Sequence, residues 1–104
     1  MNHLVPAQLA IKYGFKGHIQ GSSFASGGGG IAIGEAFRLI KNGYMDRIVV
    51  GGLDYSVNEN AIGGMDSFKA LTRKHNDCPD QAMRPFDKKR SGTVLSDGGA
   101  LLML

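Results

Sequence analysis

The chain has 104 residues, of which 42% are hydrophobic, and its formal net charge is +3 at pH 7. This length and apolar content indicate one small globular domain over residues 1–104 rather than a disordered chain. The basic run at residues 88–90 is too short to indicate nucleic-acid binding, no apolar run approaches the ~20 residues of a membrane span, and a single cysteine excludes an internal disulfide.

The first half of the chain begins with a predicted helix and a predicted strand. Residues 4–13 predict a short helix closed by Gly14, and residues 15–24 predict a strand. A glycine-rich elbow at residues 26–30 then leads into a second helix. Apolar residues recur at i, i+3, i+4 and i+7 of that helix, which places Ile33, Ala36, Phe37 and Ile40 on one helical face.

The second helix and the strand after it form the centre of the predicted fold. Asn42-Gly43 ends the helix, because glycine accepts the left-handed conformation without steric cost. The β-branched run within residues 47–52 is bounded by glycines and predicts a buried parallel strand. Strand, elbow, helix and strand make a βαβ-like unit, in which the elbow residue faces solvent above a helix N-terminus.

The second half is predicted to contain fewer regular elements. A short helix is expected near residues 67–71, and residues 75–90 predict a loop with two prolines. The apolar runs at residues 93–95 and 100–104 predict two strands or one interrupted strand. Because the sequence stops inside the last apolar run, we expect it to be part of a longer chain.

Ser26 and the glycines that follow it are candidates for chemistry. Four consecutive glycines match almost any nucleotide-binding pattern, and the lysine of a P-loop does not follow them. A steric explanation fits better, in which the helix start packs against another backbone. The spacing leaves two interpretations of Ser26 open: an N-cap that accepts a backbone N–H, or a nucleophile.

A series of motifs extends along the whole chain. In order these are Gly17-x8-Ser26-x2-Gly29-x3-Ile33-Gly34, Gly43-x-x-Asp46, Val50-Gly51-Gly52-x-Asp54, Gly63-Gly64-Met65, Lys69-Ala70-Leu71-Thr72, Arg84-Pro85-Phe86-Asp87-x-x-Arg90-x-Gly92 and Val94-Leu95-Ser96-Asp97-Gly98. Their order and spacing resemble the β-ketoacyl-acyl-carrier-protein synthases, the elongating condensing enzymes of fatty acid and polyketide synthesis. The resemblance implies an α/β, thiolase-like fold, present as an incomplete N-terminal half with a mixed sheet flanked by helices.

The resemblance also suggests where a nucleophile would lie. Ungapped alignment with the family's T-A-C-x-S-G elbow places Ser26 at the nucleophilic cysteine, whereas a rival alignment with two gaps places Phe24 there. The cysteine is missing in both alignments, and a serine hydroxyl needs an adjacent general base that a cysteine thiolate does not need. The family's two downstream histidines would lie beyond the last residue. The three histidines and the one cysteine of this chain match none of the family's motifs: His3, His18, His75 and Cys78.

Two further residues correspond to substrate-binding positions of the family. Met65 replaces a phenylalanine that borders the acyl pocket, and Lys69 keeps the positive charge of an arginine near the phosphopantetheine entrance. Ser91 departs from the pattern, since the family has an acidic residue there. The resemblance implies no bound cofactor, because the substrates are carried on the phosphopantetheine of acyl carrier protein.

Two functions follow from these observations. The first is a 3-oxoacyl-[acyl-carrier-protein] synthase that performs the Claisen condensation of an acyl thioester with malonyl-carrier protein, with Ser26 at the nucleophile position. The alternative is a non-catalytic partner subunit, either chain-length-factor-like or structural. The resemblance implies acyl carrier protein as a partner and a homodimer or heterodimer formed through residues 18–23. The expected location is the cytoplasm, or the mitochondrial or plastid matrix.

Overall fold

The computed structural model describes residues 2–104, which form two compact units. The first unit contains the described residues up to Leu53 together with residues 99–104, and the second contains residues 54–98. The elements in chain order are α1 (Leu4–Tyr13), α2 (Gly28–Lys41), β1 (Val49–Asp54), α3 (Glu59–Ser67), a 3₁₀ turn (Pro79–Gln81) and β2 (Gly98–Met103). No helix within residues 2–104 has both the length and the apolar composition needed to cross a bilayer.

The first helix has the predicted bounds, but the predicted strand after it does not form. Gly14 closes α1 in the left-handed conformation, with φ of 70°, and donates its N–H to the Ala10 carbonyl. Residues 15–23 are not a strand, because no other strand lies beside them within the described chain. A Cβ on Gly21 would lie 2.6 Å from the Asn2 carbonyl carbon, so this segment passes close to the chain that precedes α1.

The second helix forms as predicted, and its apolar face is only partly buried. Ala36 is 3% exposed and Ile40 is half-buried, whereas Ile33 and Phe37 are 36% and 57% exposed. At the start of the helix the backbones approach closely, since a Cβ on Gly52 would lie 3.3 Å from the Cα of Gly29. Small residues therefore occupy the contact side, as the steric explanation of the glycine elbow predicted. The residues that are at least half-buried on this side are Gly29, Ala32, Ala36, Leu39 and Ile40.

The strands β1 and β2 pair in the antiparallel direction, so the predicted parallel strand is wrong. Ile48 and Leu104, just outside the two strands, donate their N–H groups to each other's carbonyls at 3.0 Å, an exchange found only in antiparallel pairs. Val50 is the buried side chain of β1, at 8% exposure. In the described residues β1 and β2 form the whole sheet, so one antiparallel pair is all that is seen there of the expected mixed sheet.

The third helix lies earlier in the chain than predicted. Asn58 caps α3, since its side-chain oxygen accepts the Ala61 N–H at 3.0 Å, and Glu59 places a negative charge in the first turn. These start signals outweigh the low helix propensity of the two glycines in the centre of α3. The helix predicted near residues 67–71 is absent, because Lys69 adopts a left-handed φ of 56°.

The rest of the second unit is mostly loop, as predicted. The 3₁₀ turn is the only regular element within residues 75–90 of the described chain. Instead of a strand, residues 93–95 contribute one bridge, in which the Thr72 N–H donates to Thr93 O and the Thr93 N–H donates to Ala70 O, both at 2.9 Å. Gly92 makes this contact possible, because its φ is 135° and a Cβ would lie 2.6 Å from Thr72 N.

Candidate active site

Ser26 lies on a tight turn directly before α2. The Gly27 N–H donates to Phe24 O at 3.0 Å and the Gly28 N–H donates to Ala25 O at 3.2 Å, and these bonds close the turn around Ser26. The N-cap of α2 is Gly27, and no side chain caps this helix, so the capping interpretation of Ser26 is wrong. The Ser26 hydroxyl is instead an exposed group at the positive end of the α2 dipole.

The backbone of this turn is strained at Ala25. Its φ is +46°, a conformation that costs a residue with a side chain roughly 1–2 kcal/mol relative to the right-handed region. Strained residues of this kind concentrate at functional sites, where the surrounding structure holds them in place. The strain therefore marks residues 24–27 as a turn whose shape is maintained for a reason other than local stability.

No described residue is placed to activate the Ser26 hydroxyl. Within residues 2–104 the hydroxyl makes no hydrogen bond, and His18, in the same unit, instead contacts the Gln20 side chain at 3.1 Å. In the second unit, the Cys78 sulfur lies 4.0 Å from Nδ1 of His75, in the loop where the sequence places both residues. The described chain thus supplies a hydroxyl and a helix N-terminus, but no base in contact with that hydroxyl.

Met65 and Lys69 lie together at the end of α3, in the second unit. The Lys69 N–H donates to Asp66 O at 2.8 Å, and the Ala70 N–H donates to Met65 O at 3.1 Å. These two bonds define a Schellman motif in which Lys69 occupies the left-handed position that glycine usually takes. Met65 and Ala70 are both half-buried, as expected for the apolar pair that accompanies this motif.

An ion pair that the sequence did not predict spans the Schellman motif. Arg73 donates to both carboxylate oxygens of Asp66, from Nε to Oδ1 at 3.0 Å and from Nη2 to Oδ2 at 2.5 Å. The hydrogen bond and the charge of Arg73 hold the pKa of Asp66 below its ordinary value, and Asp66 in turn raises the pKa of Arg73. Because α3 ends between Asp66 and Arg73, the two residues do not share a helix face, and no helical period in the sequence indicated this pair.

Lys69 and the ion pair border one open depression of the second unit. Its lining carries three positively charged side chains and one carboxylate, and it consists of Asp66, Ser67, Lys69, Leu71, Arg73, Lys74 and Ser91. The Ser91 and Thr72 hydroxyl oxygens lie 2.5 Å apart at its edge. The sequence identified Lys69 as a site residue and Ser91 as a departure from the family, but not the ion pair beside them.

Comparison with known proteins identifies the family. The whole chain, residues 1–104, matches the family model described as the N-terminal domain of β-ketoacyl synthase. The chain belongs to the β-ketoacyl synthase family. The resemblance drawn from the sequence motifs is thereby confirmed.

Individual members of the β-ketoacyl synthase family agree with this assignment. The chain is 40% identical over 95 residues to 3-oxoacyl-[acyl-carrier-protein] synthase 2 of Synechocystis, covering 91% of this chain and 23% of that protein. It is 33% identical over 102 residues to the mitochondrial 3-oxoacyl-[acyl-carrier-protein] synthase of Arabidopsis thaliana, covering 98% of this chain and 22% of that protein.

A solved structure confirms the predicted thiolase-like fold. The crystal structure of a β-ketoacyl synthase from Burkholderia phymatum superposes with a TM-score of 0.88 at 32% sequence identity, covering 97% of this chain and 24% of that one. The chain therefore spans about a quarter of the length of the synthases that it matches.

Proposed function

We propose that this chain acts in a 3-oxoacyl-[acyl-carrier-protein] synthase, which condenses an acyl thioester with malonyl-carrier protein. The observation that carries the proposal is the match of nearly the entire chain to synthases of that name, at 33% and 40% identity. The geometry of the elbow supports it, because a strained turn holds the exposed Ser26 hydroxyl at a helix N-terminus. Activity, substrate and partners are properties of the whole protein, and we propose them on this basis.

Ser26 is the proposed acyl acceptor. Its Oγ attacks the carbonyl carbon of the acyl thioester, the C–S bond breaks, and the hydroxyl proton passes to the departing thiolate of the carrier arm. The Gly28 N–H is already bonded to Ala25 O, but the Gly29 and Gly30 N–H groups have no intrahelical acceptor, and they are suited to stabilise the negative oxygen that forms on the carbonyl. In this proposal a general base of the full-length protein accepts the hydroxyl proton and returns it to the departing thiolate.

A non-catalytic partner subunit is the second candidate. The observation that favours it is the serine at the elbow, because a hydroxyl stays protonated at a helix N-terminus where a cysteine thiol would ionise. In that case the elbow keeps the family's backbone shape without the acyl-transfer step, and the subunit serves by dimerising with an active synthase.

The first experiment is intact-mass analysis of the full-length protein after incubation with acyl-loaded carrier protein. An acyl adduct that maps to Ser26 and disappears in Ser26→Ala supports the synthase proposal. No adduct in the wild type, but one in Ser26→Cys, indicates a pocket that has lost only its nucleophile. The matched control is Ser96→Cys, an exposed thiol outside both the elbow and the proposed dimer segment, which should remain unmodified if the elbow geometry directs acylation. No adduct in any variant favours the partner subunit.

The remaining parts of the proposal concern partners and location. Acyl carrier protein is the proposed partner, with Lys69 near its phosphopantetheine arm, Met65 beside the acyl chain and no bound cofactor. A homodimer or heterodimer through residues 18–23 is supported by the exposure of this segment and by its lack of a strand neighbour within residues 2–104. The proposed location is the cytoplasm, or the mitochondrial or plastid matrix, and the relative from Arabidopsis thaliana is named as mitochondrial.

A further inference from the structure

Lys69 occupies a backbone position where glycine would be less strained, which indicates that its charged side chain has a role there. A Schellman motif needs a left-handed residue after the helix, and glycine supplies it without the cost that a lysine side chain adds. Lys69 adopts a φ of 56° there and remains exposed, so it gains no burial that would offset the cost. Lys69 is one of the residues that line the depression of the second unit.

Two independent constraints hold the turn that carries Lys69. The backbone constraint is the pair of Schellman hydrogen bonds, to Asp66 O and to Met65 O. The side-chain constraint is the two-point ion pair between Asp66 and Arg73, which joins a residue before the turn to a residue after it. A planar guanidinium that meets both carboxylate oxygens fixes an orientation as well as a distance.

We propose that the Asp66–Arg73 ion pair is a positioning device, which holds the Lys69 ammonium where it binds the phosphodiester of the carrier protein's prosthetic arm. This inference rests on the proposed function, because it takes the phosphate-bearing arm as the ligand. It adds two residues that the family resemblance did not indicate, Asp66 and Arg73, and it gives them a role that acts through Lys69.

The charges in the depression favour Lys69 over Arg73 as the phosphate ligand. Both oxygens of Asp66 already accept hydrogen bonds from Arg73, so the positive charge of Arg73 is largely compensated by the carboxylate. Lys69 and Lys74 have no carboxylate within 4.0 Å in the described chain, and the net charge of the lining is therefore positive. Asp66 is ionised at neutral pH, as an ordinary aspartate is, and the hydrogen bond from Arg73 lowers its pKa further.

The test measures binding of acyl-loaded carrier protein to the full-length protein, with apo-carrier protein, which lacks the phosphate-bearing arm, as the second probe. Asp66→Asn should raise the dissociation constant for the loaded carrier about three- to tenfold, the loss expected when one charge-assisted contact is misplaced. Binding of the apo-carrier should stay within twofold of the wild type. The exchanged pair Asp66→Arg with Arg73→Asp should restore the wild-type constant.

The matched control is Glu35→Gln, which removes the exposed Glu35–Arg38 ion pair of α2 and should leave binding of both probes unchanged. Tighter binding by Asp66→Asn would overturn the inference, since it would mean that Asp66 merely masks Arg73. Equal losses with both probes, or no rescue by the exchanged pair, would also overturn it. The inference would also be overturned if the wild-type protein bound no carrier protein at all.

Turnover separates this inference from the proposed function. If the protein condenses the two substrates, Asp66→Asn should raise KM for the carrier substrate and leave kcat unchanged. A protein without turnover, whose carrier binding still depends on Asp66 as described, would contradict the condensing activity and support the positioning role. Turnover with carrier binding that is indifferent to Asp66 would support the activity and contradict the positioning role.

Discussion

At the scale of single residues, two of the four strained non-glycine positions lie at candidate functional sites. The non-glycine residues with positive φ in the described chain are Ala25, Lys69, His75 and Phe86. Ala25 precedes Ser26 on the elbow, and Lys69 borders the charged depression. Each of these conformations costs about 1–2 kcal/mol that glycine would avoid, so a role that depends on the side chain or on the turn shape explains why they persist.

Replacing Lys69 with glycine should change stability and binding in opposite directions. In the full-length protein, Lys69→Gly should raise the free energy of unfolding by about 0.5–1 kcal/mol, because relief of the left-handed conformation exceeds the added entropy of the unfolded chain. It should also weaken binding of the acyl-loaded carrier. Denaturant titration and carrier binding measure the two effects. Lys74→Gly is the control. Lys74 has no positive φ, so a glycine there relieves no strain and should lower the free energy of unfolding. A loss of stability in both variants would contradict the interpretation.

At the scale of elements, glycines set how closely the backbones of the first unit approach. Gly52 faces Gly29 at the start of α2, and Gly51 faces the backbone of β2. A Cβ on Gly51 would meet the Ala100 carbonyl oxygen and lie 2.9 Å from the Cα of Leu101. Because both of these contacts are with backbone atoms, no side-chain rotation can relieve them.

Two glycine substitutions should therefore have opposite effects on stability. Gly51→Ala should lower the free energy of unfolding of the full-length protein by about 2 kcal/mol or more, since β1 and β2 must separate to admit the methyl group. Gly30→Ala should raise it by about 0.5–1 kcal/mol, because Gly30 is helical and its added Cβ would meet nothing within 4 Å. Chemical denaturation measures both values. A tolerated Gly51→Ala would mean that the two strands do not approach as described.

At the scale of the whole molecule, no aromatic side chain among residues 2–104 is buried in either unit. The first unit buries Ala10, Ala36 and Val50, and the second buries Ala82. Large apolar groups stay exposed in both, and Phe68 and Phe86 of the second unit are 82% and 98% exposed. Exposed apolar surface of this extent is typical of faces that contact other protein surface.

Dimerisation through residues 18–23 makes a testable prediction at this scale. Light scattering of the full-length protein should give twice the mass of one chain, and Ile19→Asp should give the single-chain mass, because a charge replaces an apolar side chain that is 47% exposed. Ile11→Asp on α1, where the side chain is 76% exposed, should leave the mass unchanged. A monomeric wild type that associates one-to-one with a second synthase would indicate a heterodimer instead. A monomer that binds no second synthase would contradict both forms.

The sequence by itself determined the features that depend on near neighbours in the chain. The bounds of α1, the stop of α2 after Lys41 and the loop after residue 74 follow from glycine, proline and the helical period, which act within a few residues. The spaced motifs likewise placed the chain in the β-ketoacyl synthase family and Ser26 on an exposed elbow. The start of α3 was also readable, because Asn58 and Glu59 form an N-cap signal that the prediction overlooked.

Only the tertiary structure decided the features that depend on distant partners. Residues 15–23 have strand-like composition but no neighbouring strand, and the direction of β1 depends on β2, about fifty residues later. The close approach of Gly29 to Gly52 is likewise a contact that helical periodicity does not encode. The Asp66–Arg73 pair exists because the Schellman turn at Lys69 reverses the chain between them. Local propensity is a property of a segment, whereas pairing, burial and charge contacts are properties of two segments together.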